Sequence, residues 1–245
     1  MPTLPGILGQ LQFISYEAAL LGLFVTASII LIGRDWRSLI LALLIQYILV
    51  GLVLSRLVRP DIATLKVMIG AFICPILFLS ARQVSIRAST GGLSMNRLQV
   101  TDRLQPDQAN WGRRALVFML SLIRGRDRRR SPAATGFTFR IFTALLMILV
   151  AISFSNTVAL PGLAPSANTA VFWLVLAGLT TLTLTEDPIK VGHGLFTALV
   201  GFELFYATVE NSLLLTGLWG AINLLIALAI GYLTVVKGTG LEEEL

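Results

Sequence analysis

The stretch "GLFTALVGFELFYATVENSLLL", Gly194–Leu215, has the length and apolar content of a membrane helix, yet it holds two carboxylates, Glu203 and Glu210. A helix crossing a hydrocarbon core of ~30 Å needs roughly 20 mostly apolar residues. The rest of the chain is built to the same measure. Of its 245 residues, 56% are hydrophobic and 13% charged, and the mean hydropathy is +0.82. Soluble domains carry roughly 25% charged residues. The class read from this is an all-α, polytopic membrane bundle. Seven spans are expected, over about Ser15–Gly33, Leu39–Leu57, Ile62–Ala81, Phe137–Val158, Thr169–Thr185, Val191–Leu213 and Thr216–Val236.

The distribution of Lys and Arg orients such a bundle. Twelve of nineteen basic residues fall between Arg82 and Arg140, among them "RGRDRRR" at 124–130. That loop is therefore expected on the cytoplasmic side, with the N-terminus outside and the C-terminus inside. Arg56, Arg59 and Lys66 run against the rule, lying near the outer face. The basic loop divides the chain into a three-helix unit (1–84), the loop itself (85–136) and a four-helix unit (137–245). Within the loop, "NWGRRALVFMLSLIRGRDRRR" (110–130) brackets an apolar stretch with arginines and suits an amphipathic helix lying in the interface. Its arginines are expected to meet anionic lipid, not nucleic acid. The preceding stretch, 85–110, is polar with no clear period. The opening residues carry no basic group ahead of the apolar stretch, so the first helix is expected to be retained.

A carboxylate deep in a bilayer costs several kcal/mol by insertion scales. With its helix starting near Val191, Glu203 is expected ~18 Å in, close to the midplane, with Glu210 ~10 Å further along nearly the same face. No Lys or Arg is expected at matching depth, so Glu203 must protonate, face a hydrated cavity, or borrow a cation from a neighbouring subunit. The first two outcomes make a group that takes up and releases protons. The alternative is a protonated Glu203 hydrogen-bonded to a backbone carbonyl or to Asn223 as interhelical glue. Glu210, followed by Asn211 and Ser212, is open to the same two readings. Tyr206, three residues after Glu203, borders that face. Lys190 and His193, the single histidine, stand at the cytoplasmic start of the helix, where His193 is either a proton donor or an interfacial polar residue. Glu186 and Asp187 precede Pro188 and are expected to cap the helix.

Two helix–turn–helix stretches, one around Arg34–Arg37 and one around Glu186–Lys190, suggest an internal repeat that sets Gln46 roughly where Glu203 falls. Cys74 stands alone in an apolar run, so disulfides and cysteine metal clusters are excluded. There is no P-loop, HExxH or CxxC, and the single His, expected to stand alone at the membrane surface, offers no Ser–His–Asp arrangement. Neither cofactor nor metal is expected in this chain, and catalysis by the chain alone is not expected.

The turn "TEDPIKVGHG" (185–194), the core "VGFELFYATVEN" (200–211) and the helix "GLWGAINLLIALAIGYL" (217–233) resemble the K subunit of NADH:quinone oxidoreductase (complex I), a three-helix proton-pathway subunit. The chain as a whole is similar to the E-type membrane component of hydrogenase-4 and formate hydrogenlyase complexes, which carries such a unit after extra N-terminal helices. "RDWRSLILALLIQYILVGLVLS" (34–55) and "KVMIGAFICPILFLSAR" (66–82) are similar to that family's second and third helices. The resemblance implies a non-redox subunit of a proton-translocating assembly in the cell membrane, partnered by antiporter-like subunits. Glu203 would be the membrane-embedded glutamate, and Glu210 with Asn211 an acid–amide pair. Where the complex I protein has a second acid in its last helix, this chain has Asn223. Lys66 stands farther before Pro75 than the corresponding lysine of the hydrogenase-type protein. Against this stand two other classes, a non-catalytic scaffold and a small-solute transporter.

Overall fold

A computed structural model describes the backbone of residues 16–96 and 136–239 and the side chains of 16–85 and 136–238. Seven α-helices make up nearly all of it: α1 Tyr16–Ile32, α2 Trp36–Leu57, α3 Pro60–Asn96, α4 Phe137–Thr157, α5 Pro165–Thr183, α6 Pro188–Val209 and α7 Leu213–Thr239. The expected interfacial helix at 110–130, the arginine run at 124–130 and the acidic end at 242–244 lie outside the described residues.

Five helices are long and apolar enough to cross a membrane, namely α2, residues 60–85 of α3, α4, α5, and residues 213–238 of α7. At 17 residues, α1 is shorter than a full span. α6 has 22 residues but spends three of its positions on Lys190, His193 and Glu203. The outer surface has the composition of a lipid-facing one. Along α4, Phe137, Phe142, Leu145 and Leu149 are each 55% exposed or more, and α7 leaves Leu214, Leu225 and Tyr232 at 67% or more. Contiguous apolar surface on that scale is not tolerated on a water-soluble monomer. The chain is a multi-pass helical membrane protein.

Turn chemistry sets the helix ends. Pro165 and Pro188 open α5 and α6 at the first helical position, where the missing N–H is no loss. Asp187 caps α6, its carboxylate accepting from the Ile189 N–H at 3.3 Å; Glu186 makes no such cap, and its carbonyl instead accepts from Lys237 Nζ. Asn168 closes the α4–α5 turn by donating to the carbonyls of Ser155 and Val158, at 3.0 and 2.8 Å, near the end of α4. The third helix departs most from expectation. Pro60 and Asp61 start it two residues early, and it runs to Asn96, through a segment whose polarity and lack of period argue for a loop. Pro75 sits inside it without ending it.

The helices pair in chain order across the bundle: α1 packs on α5, α2 on α6 and α3 on α7, while α4 lies outside against α5 and α1. Phe24 and Trp173 stack at 6.1 Å between α1 and α5, with the indole N–H donating to the Phe24 carbonyl. α5 and α6 approach each other closely. A Cβ on Gly194 would stand 2.9 Å from the Gly178 carbonyl, and one on Gly178 would strike the α6 backbone. Only glycine at both places lets the two backbones meet, the small-residue packing that membrane helices use in place of a hydrophobic drive.

Candidate functional site

Glu203 is buried, and it is clamped. Its Oε2 is in direct contact with the ammonium of Lys66, and its Oε1 accepts from Asn223 Nδ2 at 2.6 Å. α3, α6 and α7 each supply one member. The expectation that no cation shares the depth of Glu203 is therefore corrected. Lys66 reads by position as a residue near the outer face, but α3 starts at Pro60, so Lys66 lies six residues, ~9 Å, inside the helix. It also falls on the inward stripe of that helix, in step with the buried Ile62, Ala63, Ile69, Ile73 and Leu77. That helical period is the signal that could have found it.

Tyr47 on α2 completes the surroundings of the ammonium, with its ring centroid 5.4 Å from Lys66 Nζ. Gly70, one turn after Lys66, makes this possible, because any Cβ there would strike the Tyr47 side chain. On the other side of the pair is a cavity lined by Leu54, Lys66, Glu203, Tyr206, Thr216 and Trp219 among others, with about 20 Å³ open to the centre of a water molecule. A water needs roughly 10–15 Å³ on that measure. Thr216 belongs to the first turn of α7, so the cavity lies toward the end of the bundle where α6 hands over to α7. Phe202, Tyr206 and Trp219 close its flank as a ring cluster with centroids 5.6–6.2 Å apart.

The remaining expected residues are not gathered there. Glu210 is not on the membrane face of α6. The helix ends at Val209, and the exposed Glu210 takes the next turn's Ser212 N–H at 3.2 Å. Asn211 and Ser212 break the helix before the expected second turn beyond Glu203 forms. Glu203 itself stands fifteen residues, ~23 Å, from Pro188, a little past the middle of α6. Lys190 and His193 are both buried within the bundle, near the start of α6. Lys190 Nζ donates to the Gly33 carbonyl at 2.5 Å, tying the start of α6 to the α1–α2 turn. His193 Nδ1 meets the Ile189 carbonyl at 2.6 Å, and Thr197 donates to the His193 carbonyl. Ten residues of helix, ~15 Å, separate His193 from Glu203, so no direct proton transfer joins them. Tyr206 borders the cavity half-buried, as its position three residues after Glu203 implies.

Among the described residues no group of three His, Cys, Asp or Glu side chains could hold a metal. No protein-family profile, curated protein or solved structure matches the chain.

Proposed function

We propose that this chain is an integral subunit of a proton-translocating assembly of the complex I or membrane-hydrogenase kind, set in the cell membrane, and that the Lys66–Glu203 pair is its proton-exchange element. The observation that carries the reading is the buried pair itself, set against a cavity with room for a water. A buried ion pair is a poor source of stability, since well-packed apolar residues of the same volume serve as well or better. It is, however, a donor and an acceptor that become neutral together when one proton moves. A balanced cycle needs only this chain's groups. Glu203 accepts a proton from one side, Lys66 releases one into the cavity on the other, and the Glu203 proton then passes to the Lys66 amine to restore the pair. One proton crosses per cycle, and Asn223 holds the carboxylate in place throughout. Movement of partner subunits against the bundle would bias the steps. Electron transfer belongs to those partners, expected to include antiporter-like subunits.

The N-outside, C-inside orientation suits this reading. The α1–α2 turn, the start of α4, the α5–α6 turn and the end of α7 share one end of the bundle, which collects Arg34, Arg37, Arg140, Lys190 and Lys237. At the opposite end Arg59 is answered by Asp61 at 3.0 Å. Lys66 is held inside the bundle by Glu203 and is not a flanking loop charge, which leaves Arg56 and Arg59 against the positive-inside rule. On this orientation all seven helices cross, and the cavity faces outward.

The second reading is a scaffold in which Lys66, Glu203 and Asn223 staple three helices. The completeness of the clamp on Glu203 favours it. A transporter fits less well, because every described helix is continuous and the broken helices of transporter midplanes do not occur among them. The experiment that tests the proposal is purification of the native assembly through a tag on this chain. Antiporter-like and redox subunits in stoichiometric amounts are the expected result; a homo-oligomer or a complex without them would overturn it.

A further inference from the structure

Proton exchange at Lys66–Glu203 needs a route from the α5–α6 turn, and the route is the part the pair does not supply. Three buried side chains mark it. Gln46 on α2 is fully buried, and neither its amide oxygen nor its amide nitrogen has a hydrogen-bond partner among the described residues. The next residue, Tyr47, has its ring beside Lys66 and a hydroxyl equally without a partner. On α6, His193 is fully buried, with Nδ1 fixed by the Ile189 carbonyl and Nε2 unpartnered.

Two contacts set the relative register of α2 and α6. Lys190 reaches Gly33 just before α2 begins, and Leu54 and Ala207 line the same cavity near the two C-terminal ends. The helices therefore run parallel. Measured down from the cavity at 1.5 Å per residue, Glu203 lies ~6 Å below Ala207, Gln46 ~12 Å below Leu54 and His193 ~21 Å below Ala207. Gln46 falls between the other two in level, on the helix that packs against α6.

We infer that the α2–α6 interface holds a file of internal waters running from His193 past Gln46 to the Lys66–Glu203 pair, with Gln46 as the positioning residue that holds it. Leaving an amide, an imidazole nitrogen and a phenol unsatisfied in a dry interface would cost about 1–3 kcal/mol each. Water is what ordinarily meets such groups inside proteins. An amide is well suited to the middle of the file, because it donates to one water and accepts from the next without trapping a proton. His193 Nε2 stands at the entry, ~15 Å along α6 from the carboxylate it would supply. This rests on the proton-exchange reading, and it adds the inner half of the path to the cavity on the outer side.

Two measurements on the intact assembly test it. An experimental density map of the unmodified protein, fine enough to show waters, should contain ordered water against the Gln46 amide and His193 Nε2. A dry interface, with Gln46 paired to backbone, overturns the inference whatever the assembly does. In proteoliposomes, Gln46→Leu should slow proton translocation by about tenfold or more while electron transfer continues, the scale of one lost hydrogen bond in the transfer step. If Gln46→Leu translocates normally while Glu203→Gln does not, the path lies elsewhere and only the inference fails. If both translocate normally, the proton-exchange reading fails with it.

Discussion

Removing one partner of the Lys66–Glu203 pair should do more harm than removing both. In Lys66→Met the carboxylate keeps only Asn223, bonded at 2.6 Å, and otherwise faces Tyr206, Trp219 and a cavity with room for a single water. Breaking a buried pair from one side typically costs about 3–5 kcal/mol. The loss falls toward the lower figure if Glu203 takes a proton. In Glu203→Gln the ammonium of Lys66 is left with the Tyr47 ring at 5.4 Å, an attraction worth about 0.5–2 kcal/mol. That does not offset an unpaired charge. The double variant Lys66→Met with Glu203→Gln removes both charges and retains an amide oxygen for Asn223, so its loss should be about 1 kcal/mol or less. Each single loss should therefore exceed the loss in the double variant by about 2 kcal/mol or more. Equilibrium unfolding in mixed micelles, followed by tryptophan fluorescence, measures all four proteins. Additivity within about 0.5 kcal/mol would refute the reasoning, since it would mean that the pair does not couple in the folded protein.

Two further substitutions probe how the site is held. Gly178→Val should force α5 away from α6, where a Cβ meets the α6 backbone; destabilisation of about 1–3 kcal/mol, the usual penalty of overpacking, is expected in the same unfolding assay. Glu210→Gln should change stability by less than about 0.5 kcal/mol and leave proton translocation intact, because that residue is exposed on a turn.

The all-α class and most boundaries of the described helices are legible in the sequence because apolar runs of spanning length, punctuated by Pro and Gly, leave few alternatives. Asp187 before Pro188 announces the start of α6 by ordinary capping chemistry. What is not legible has definite physical causes. The continuation of α3 to Asn96 carries no apolar period to mark it. The end of α6 at Val209 is masked by the apolar "LLL" that follows Ser212, which belongs to α7. Lys66 escapes a sequence reading because a lysine near a helix end usually snorkels, and its depth depends on starting α3 at Pro60. Tyr47 reaches it only because Gly70 leaves room, which is a fact of packing between helices and not of either helix alone. The acid at 203 stands out from its surroundings at once; the cation that answers it lies 137 positions earlier in the chain.

The paired charges at 66 and 203 either move protons or merely hold helices together, and the doubly neutralised protein separates the two. Proton translocation per electron should be measured in proteoliposomes containing the assembly with Lys66→Met and Glu203→Gln together. The assembly should form and pass electrons, with translocation through this chain's path lost. An unchanged proton yield from a fully assembled complex would contradict a proton-exchange role and leave the three-helix staple as its whole purpose.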